Sequence, residues 1–475
     1  MQVSSVHQHW SSRFAFIMAT VGAAVGLGNF WRFPYQAGEN GGGAFVIIYI
    51  GVILVVAVPL VMSELLIGRR GQRSAVGSAA DVGRQEGGSG VWGIIGWLGM
   101  LSSFVVVSYY SVIAGWVMAY IPKAIMPGAF DGGVEVVGGH FNSLISSPLQ
   151  SIGWHTLFLV ITCFIVIRGL HNGIERAATI LMPAFFVMLL FVVYLASSNG
   201  DFSATVDFLF KPRWAEVNVS VVMAAVSQAF FSIGVATAIL ITYGAYLNRD
   251  AHLPRSSFVI SFADTGVALL AGFAVFPLVF ALNLPADSGF DLLFKTLPHA
   301  IAASSFAQLF GTTFFVLAFF AALTSSIALL EIIISWAEEK GFTRVKAVIF
   351  FGGLVWIVGV FQALSFNSMG SSMDALFGPD VLPGVGSRNV FGFTDFVATK
   401  VFMPLGGVLI AVLVGWVVSR ETAQSELQLP IWAFKLWRFL VRFLIPIAVG
   451  GLLILSTAQD GFGVDLLAMV GLNGG

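Results

Sequence analysis

The chain has 475 residues, 57% of them hydrophobic and only 10% charged, with a mean hydropathy of +0.92 and a formal net charge of -1. A soluble domain carries about 25% charged residues. A water-facing surface cannot be built from this composition, so most of the outside must face lipid. The near-zero net charge excludes the basic face that a nucleic-acid partner requires.

The first residues, Met1 to Ser12, are polar and lack an apolar h-region with a cleavage site. No cleavable signal peptide is expected, and the first apolar segment is read as a retained span. A transmembrane helix needs about 20 mainly apolar residues. Eleven segments qualify, at roughly 14–37, 42–68, 91–122, 151–168, 176–197, 218–246, 256–284, 307–337, 345–365, 393–419 and 432–457. The stretch 286–306 is too polar to span and reads as a structured outer loop. No segment resembles a soluble domain, so the expected architecture is all-α and polytopic, with residues 1–475 forming one transmembrane domain. The 53 glycines are spread through apolar runs, as suits close helix packing in lipid. Cys163 is the sole cysteine, which excludes an intrachain disulfide.

Orientation follows from the placement of Lys and Arg. With the N-terminus in the cytoplasm, most of the 23 basic residues fall inside. The exceptions are Arg32, Lys123, Lys211, Arg213, Lys295, Arg388 and Lys400. Eleven spans then put the C-terminus outside, in the inner or plasma membrane of a cell.

Two spans are interrupted. The first carries Gly22, Gly26 and Gly28 in mid-membrane, followed by Asn29 and Phe30. The sixth reads Ser232-Ile233-Gly234-Val235, then Ala236-Thr237-Ala238. Glycine costs about 1 kcal/mol relative to alanine inside a helix. Three at this spacing predict an unwound stretch. Such backbone survives at membrane depth only where it lines a site. Broken helices in the first and sixth positions are what an inverted five-helix repeat predicts for a secondary transporter.

The segments GlyAlaAlaValGlyLeuGlyAsnPheTrpArgPhePro (22–34), GluAsnGlyGlyGlyAlaPhe (39–45), TyrTyr (109–110), GlnAlaPhePheSer (228–232) and AlaAlaLeuThrSerSer (321–326) resemble the neurotransmitter:sodium symporter family. The resemblance runs collinearly from about Trp10 to the tenth span. It implies the LeuT fold: inverted repeats at about 14–197 and 218–419, with an extra helix at about 432–457. It also implies sodium-coupled uptake of an amino acid by alternating access. A monomer or weak homodimer is the expected assembly.

The resemblance places a first sodium at the Ala24 carbonyl, Asn29, Ser232 and Asp264, with the substrate carboxylate completing the shell. It places a second at the carbonyls of Gly22, Val25 and Ala321 and the hydroxyls of Thr324 and Ser325. Hard oxygen donors of this kind suit sodium. The substrate carboxylate is expected at the unwound first span, at Ala24, Gly26 and Gly28, with the Tyr110 hydroxyl. Monoamine carriers of the family have an Asp where this chain has Gly26, which leaves room for a substrate bringing its own carboxylate. The side-chain pocket would be Val106, Phe231, Ser232, Gly234, Thr237, Ser325 and Leu329. It is mainly apolar, so a neutral, hydrophobic or aromatic L-amino acid is the expected substrate. Several relatives have a glycine-containing triplet where this chain has Ala236-Thr237-Ala238, which leaves the path of the sixth span open.

A carboxylate within a span is costly unless paired or hydrated. Many chloride-dependent relatives have a neutral amide where Asp264 stands and a serine one turn later, where this chain has Ala268. The fixed charge of Asp264 is therefore expected to replace chloride. The resemblance makes Arg32 and Asp395 the outer gate, above a lid of Phe231 and Tyr110. It makes Trp10 an inner plug, with Glu339 facing His7 where relatives have an arginine. Lys400 in the tenth span has no assigned role. An ion channel, a membrane enzyme and a transport-inactive substrate sensor of the same fold compete with the carrier. The lidded site disfavours a channel, and the seven histidines show no HisGluxxHis spacing.

Overall fold

The structure, a computed structural model, describes residues 8–284, 289–370 and 389–469. His7 and Arg388 lie outside the described residues. With no water in hydrocarbon to satisfy backbone polar groups, apolar runs of this length must close their hydrogen bonds within a helix. Nine unbroken helices among the described residues are long and apolar enough to cross a membrane. They are Gly43–Gly71, Gly90–Ile125, Pro148–Val166, Leu170–Asn199, Leu253–Ala281, Ala307–Glu339, Arg344–Leu364, Val390–Val417 and Ile431–Gly461. The remaining two are broken: Arg13–Ala24 meets Leu27–Glu39 at 57°, and Val219–Ile233 is followed by Ile239–Ala245. Ten of these answer to expected spans by length and composition, and the sixth expected span, 218–246, is the shorter pair Val219–Ile233 and Ile239–Ala245. The largest shift in a boundary is at the fifth span, which begins at Leu170 because a π-helical turn, Leu170–Glu175, feeds into it.

Helix starts follow local chemistry. Ser12, Ser147, Asn218 and Asn389 each accept a hydrogen bond from an early helical N–H, and Pro148 occupies a first-turn position that needs no donor. The breaks have different causes. Gly26 is extended, with φ -134° and ψ -170°, a conformation open to any residue. In the sixth span Gly234, Ala236 and Ala238 all lie in the left-handed region, with φ of 69°, 63° and 66°.

The eighth span is the axis of the molecule: 89% of its apolar window is buried, against 33% for the fifth and eleventh spans. It packs against the third along much of its length. The peripheral helices turn side chains such as Leu149, Ile431, Trp432 and Ile447 outward, giving an apolar exterior fitted to lipid. The stretch expected as a structured loop is helical where described: a π turn Leu292–Thr296 and a short helix Leu297–Ala302. It packs inward, with Phe294 stacked on Phe141 at 4.8 Å and its carbonyl accepting from Tyr120 at 2.8 Å.

Candidate functional site

The two breaks face one another across a cleft of about 500 Å³, its open mouth included. Every residue expected at the substrate pocket lies on its wall: Ala24, Gly26, Gly28, Val106, Tyr110, Phe231, Ser232, Gly234, Thr237, Ser325 and Leu329. Asn29 joins them, and so do Ala23, Ile239 and Met403, which sequence reasoning does not reach. Among the described residues no charged side chain lines the cleft.

The polar end is built from the first break. With Val25 and Gly26 out of the helix, the Leu27 N–H donates to the Tyr110 hydroxyl at 2.9 Å, and the Gly26 N–H to Asn29 Oδ1 at 2.9 Å. A Cβ on Gly26 would stand 2.8 Å from the Tyr110 oxygen and 3.0 Å from Ser325 Oγ. Glycine is required here for space, not for backbone freedom. Gly28 is similarly filled, since a Cβ would lie 2.7 Å from the Phe231 ring.

Beneath this end, Asn29 Nδ2 donates to Asp264 Oδ1 at 2.8 Å and Ser232 Oγ donates to Asp264 Oδ2 at 2.7 Å. Asn29 Nδ2 also lies 3.2 Å from Ser232 Oγ. The three side chains, from the first, sixth and seventh spans, are buried. A carboxylate so placed holds negative charge in a region of low dielectric, where a cation offers the best compensation.

A second cluster of oxygens forms where the first span meets the eighth. Ser325 Oγ lies 3.3 Å from the Gly22 carbonyl, 3.2 Å from that of Val25 and 3.1 Å from that of Ala321. Thr324 Oγ1 lies 3.1 Å from the Ala321 carbonyl. All five expected donors thus converge, and an all-oxygen set of carbonyls and hydroxyls fits a hard alkali cation.

The unwound sixth span is held from outside the cleft. Glu64, fully buried in the second span, accepts the Ala236 N–H at 2.7 Å. Ser103 donates to the Thr237 carbonyl at 2.7 Å, and Thr237 turns its own hydroxyl back onto the Gly234 carbonyl at 2.5 Å. Glu64 is absent from the motif-based reading, although an ionisable group inside an apolar span is itself a signal.

The expected gates are arranged differently. Arg32 does not pair directly with Asp395. Its guanidinium lies 4.1 Å over the Phe231 ring and donates to Ser227 at 3.2 Å, whereas Asp395 accepts from Tyr109 at 3.0 Å. Trp10 is buried, with its indole N–H on the Tyr243 carbonyl at 3.0 Å. Glu339 is engaged by Arg73 and by the Ser74 N–H at 2.9 Å. Its expected partner His7 is outside the described residues. Arginine is therefore present at this end, supplied by the loop after the second span and not by the N-terminus. A second pair, the buried Glu331 with the partly buried Arg344, is tied to Tyr246, whose hydroxyl donates to Glu331 at 2.9 Å. Lys400 pairs with Asp460 of the eleventh span at 3.4 Å.

Residues 7–127 and 144–377 match the family model described as the sodium:neurotransmitter symporter family. The chain belongs to that family. It is 33% identical over 446 residues to YhdH, a sodium-dependent transporter of Bacillus subtilis, covering 93% of this chain and 95% of that one. A sodium-dependent transporter of Haemophilus influenzae is 30% identical over 452 residues, with 93% and 96% covered. Among solved structures, MhsT in complex with L-phenylalanine is 36% identical and superposes with a TM-score of 0.85, covering 94% of this chain and 99% of that one. The protein is a sodium-coupled membrane transporter of the sodium:neurotransmitter symporter family.

Proposed function

We propose that the protein carries a neutral, hydrophobic or aromatic L-amino acid into the cell together with two sodium ions. The observation that carries this reading is the polar end of the cleft. Gly26 carries no side chain to crowd the Tyr110 hydroxyl and Ser325, so a carboxylate can meet the Tyr110 hydroxyl at the first break, near Asn29, Ser232 and Asp264. A substrate carboxylate there completes the shell of the first ion, so neither binds well without the other. The second ion takes the carbonyls of Gly22, Val25 and Ala321 with Thr324 and Ser325, and holds the first span against the eighth. The apolar lining supports an uncharged side chain, and the phenylalanine held by MhsT is consistent with that class.

On this reading Asp264 supplies the charge that chloride supplies elsewhere, and transport does not need chloride. When the carrier returns empty, Asp264 loses its sodium counter-charge, and a proton taken from the cytoplasm restores neutrality. Arg32, Phe231 and Tyr110 cover the outer side, while Trp10 and the Arg73–Glu339 pair close the inner one. The N-terminus then lies in the cytoplasm and the C-terminus outside, in the inner or plasma membrane. Residues 1–475 act as one domain, as a monomer or weak homodimer.

The test is uptake by purified protein in liposomes under an inward sodium gradient. Saturable, sodium-dependent entry of a neutral amino acid is expected. Equal uptake in potassium or choline, or preference for a monoamine without a carboxylate, overturns the reading. Bound amino acid without counterflow of label identifies a sensor.

A further inference from the structure

The cleft has one wall that the substrate motifs do not account for. Along the third span Tyr110 marks the polar end, and Val106 lies one turn away. A further turn on, Ser103 grips the Thr237 carbonyl. At that far end the sixth span presents little bulk. Gly234 has no side chain, and Thr237 folds its hydroxyl back onto its own strand of backbone. The tenth span closes in behind: a Cβ on Gly406 would lie 3.3 Å from the Ala236 methyl. Met403, one turn before Gly406 on the same span, is buried at 3% exposure and lines the cleft, as Ile239 does. A π-helical stretch, Phe396–Phe402, immediately precedes it. Such a stretch turns the register of the helix beyond it, and π turns recur at functional sites.

Resting on the reading of the cleft as an amino-acid site, we propose that Met403 is a specificity-determining residue, the end wall that limits how long a substrate side chain can be. A carboxylate anchored at Gly26 and Tyr110 points its side chain between Val106 and Leu329 toward Thr237. Among the described residues, Met403 is the one residue of the tenth span that lines the cleft, and we assign it the closing end of that path. A close-packed apolar wall discriminates by size, because an added methylene there must displace protein atoms.

The experiment compares sodium-driven uptake of alanine, leucine, phenylalanine and tryptophan by wild type, Met403→Ala, Met403→Phe and Met403→Leu in liposomes. Amino-acid-dependent thermal stabilisation in sodium serves as a second readout that does not require transport. A group of one to a few methylenes in an apolar pocket is worth about tenfold or more in discrimination. Met403→Phe should weaken phenylalanine and tryptophan by about tenfold or more relative to alanine. Met403→Ala should favour tryptophan over leucine by a similar factor, and Met403→Leu should keep the wild-type ranking. The sodium dependence for alanine should be the same in all four proteins. An unchanged ranking in folded Ala and Phe variants, or a uniform loss for all four substrates, overturns the proposal and leaves the amino-acid reading standing. A wild type that is neither stabilised by nor transports any of the four overturns both.

Discussion

The Asn29 amide donates to the Asp264 carboxylate across 2.8 Å, tying the kink of the first span to the seventh. Through its other end Asn29 accepts the Gly26 N–H, so one side chain links the Asp264 carboxylate to the backbone at the first break. Asn29→Ala removes both links. A lost buried hydrogen bond to a charged group costs about 1.5–3 kcal/mol, so half-saturating sodium should rise by roughly tenfold or more. Thr324→Ala should weaken sodium through the second cluster without touching the first. Sodium titration of substrate binding measures both. Wild-type sodium dependence in two folded variants excludes these positions as ligands.

On the proposed reading Asp264 also sets the anion requirement. Asp264→Asn removes the fixed charge and keeps one acceptor oxygen for Asn29, while the Ser232 hydroxyl can turn to accept from the new amide N–H. Combined with Ala268→Ser, which restores a hydroxyl one turn on, the variant should lose uptake in chloride-free buffer and regain part of it when chloride is added. Uptake by wild type should be the same in chloride and gluconate. A wild type that needs chloride, or a neutralised variant indifferent to it, removes the charge-substitution argument.

Gly26→Ala tests the space argument separately from the backbone. Its φ of -134° suits alanine, so the local conformation needs no change. The added methyl would crowd Tyr110 and Ser325 at 2.8 and 3.0 Å. Uptake should fall by about tenfold or more, as overpacking of this kind costs about 1–3 kcal/mol, while the far-ultraviolet spectrum stays that of wild type. Normal uptake by Gly26→Ala shows that the carboxylate binds elsewhere.

At the Trp10 end, Glu339→Gln and Arg73→Ala should each loosen the closed state. Cys163 is the only cysteine, so a Cys163→Ser background gives a clean reporter. A cysteine at Ala19, buried in the first span, should react with a membrane-impermeant thiol reagent added from the cytoplasmic side several times faster in either variant. Unaltered labelling assigns the pair to stability alone.

Much of this was legible in the sequence because the membrane limits the choices. Apolar length gave the spans, and the glycines of the first span marked its break. The oxygens that cluster in the structure are those named through the family resemblance, in the motifs at 22–34, 228–232 and 321–326 and at Asp264 outside them. What was not legible depends on contacts between distant segments. Nothing near Met403 distinguishes it from a core methionine until Gly406 brings the tenth span against Ala236. Glu339 finds Arg73, which lies on another span's loop, and no spacing rule pairs them. The gate expected between Arg32 and Asp395 divides into contacts with Phe231, Ser227 and Tyr109, because each charge has a nearer polar or aromatic neighbour.

Ala236 and Ala238 occupy backbone conformations that cost an L-residue with a Cβ about 1–2 kcal/mol apiece. At 238 the neighbour has no choice: a Cβ on Gly99 would strike the alanine methyl at 2.6 Å and its backbone nitrogen at 2.8 Å, so Gly99 is fixed whatever stands opposite. At 236 the contact is exchangeable, since a Cβ on Gly406 would meet chiefly the facing methyl. A descendant carrying both Ala236→Gly and Gly406→Ala would fill the same space from the tenth span and relieve the left-handed alanine. The order of the two steps matters. Taking Gly406→Ala first presses two methyls together beside the cleft, whereas taking Ala236→Gly first leaves only a methyl-sized gap of about 1 kcal/mol. The passable route between the two arrangements therefore begins in the sixth span, and Gly406 leaves it open in this chain.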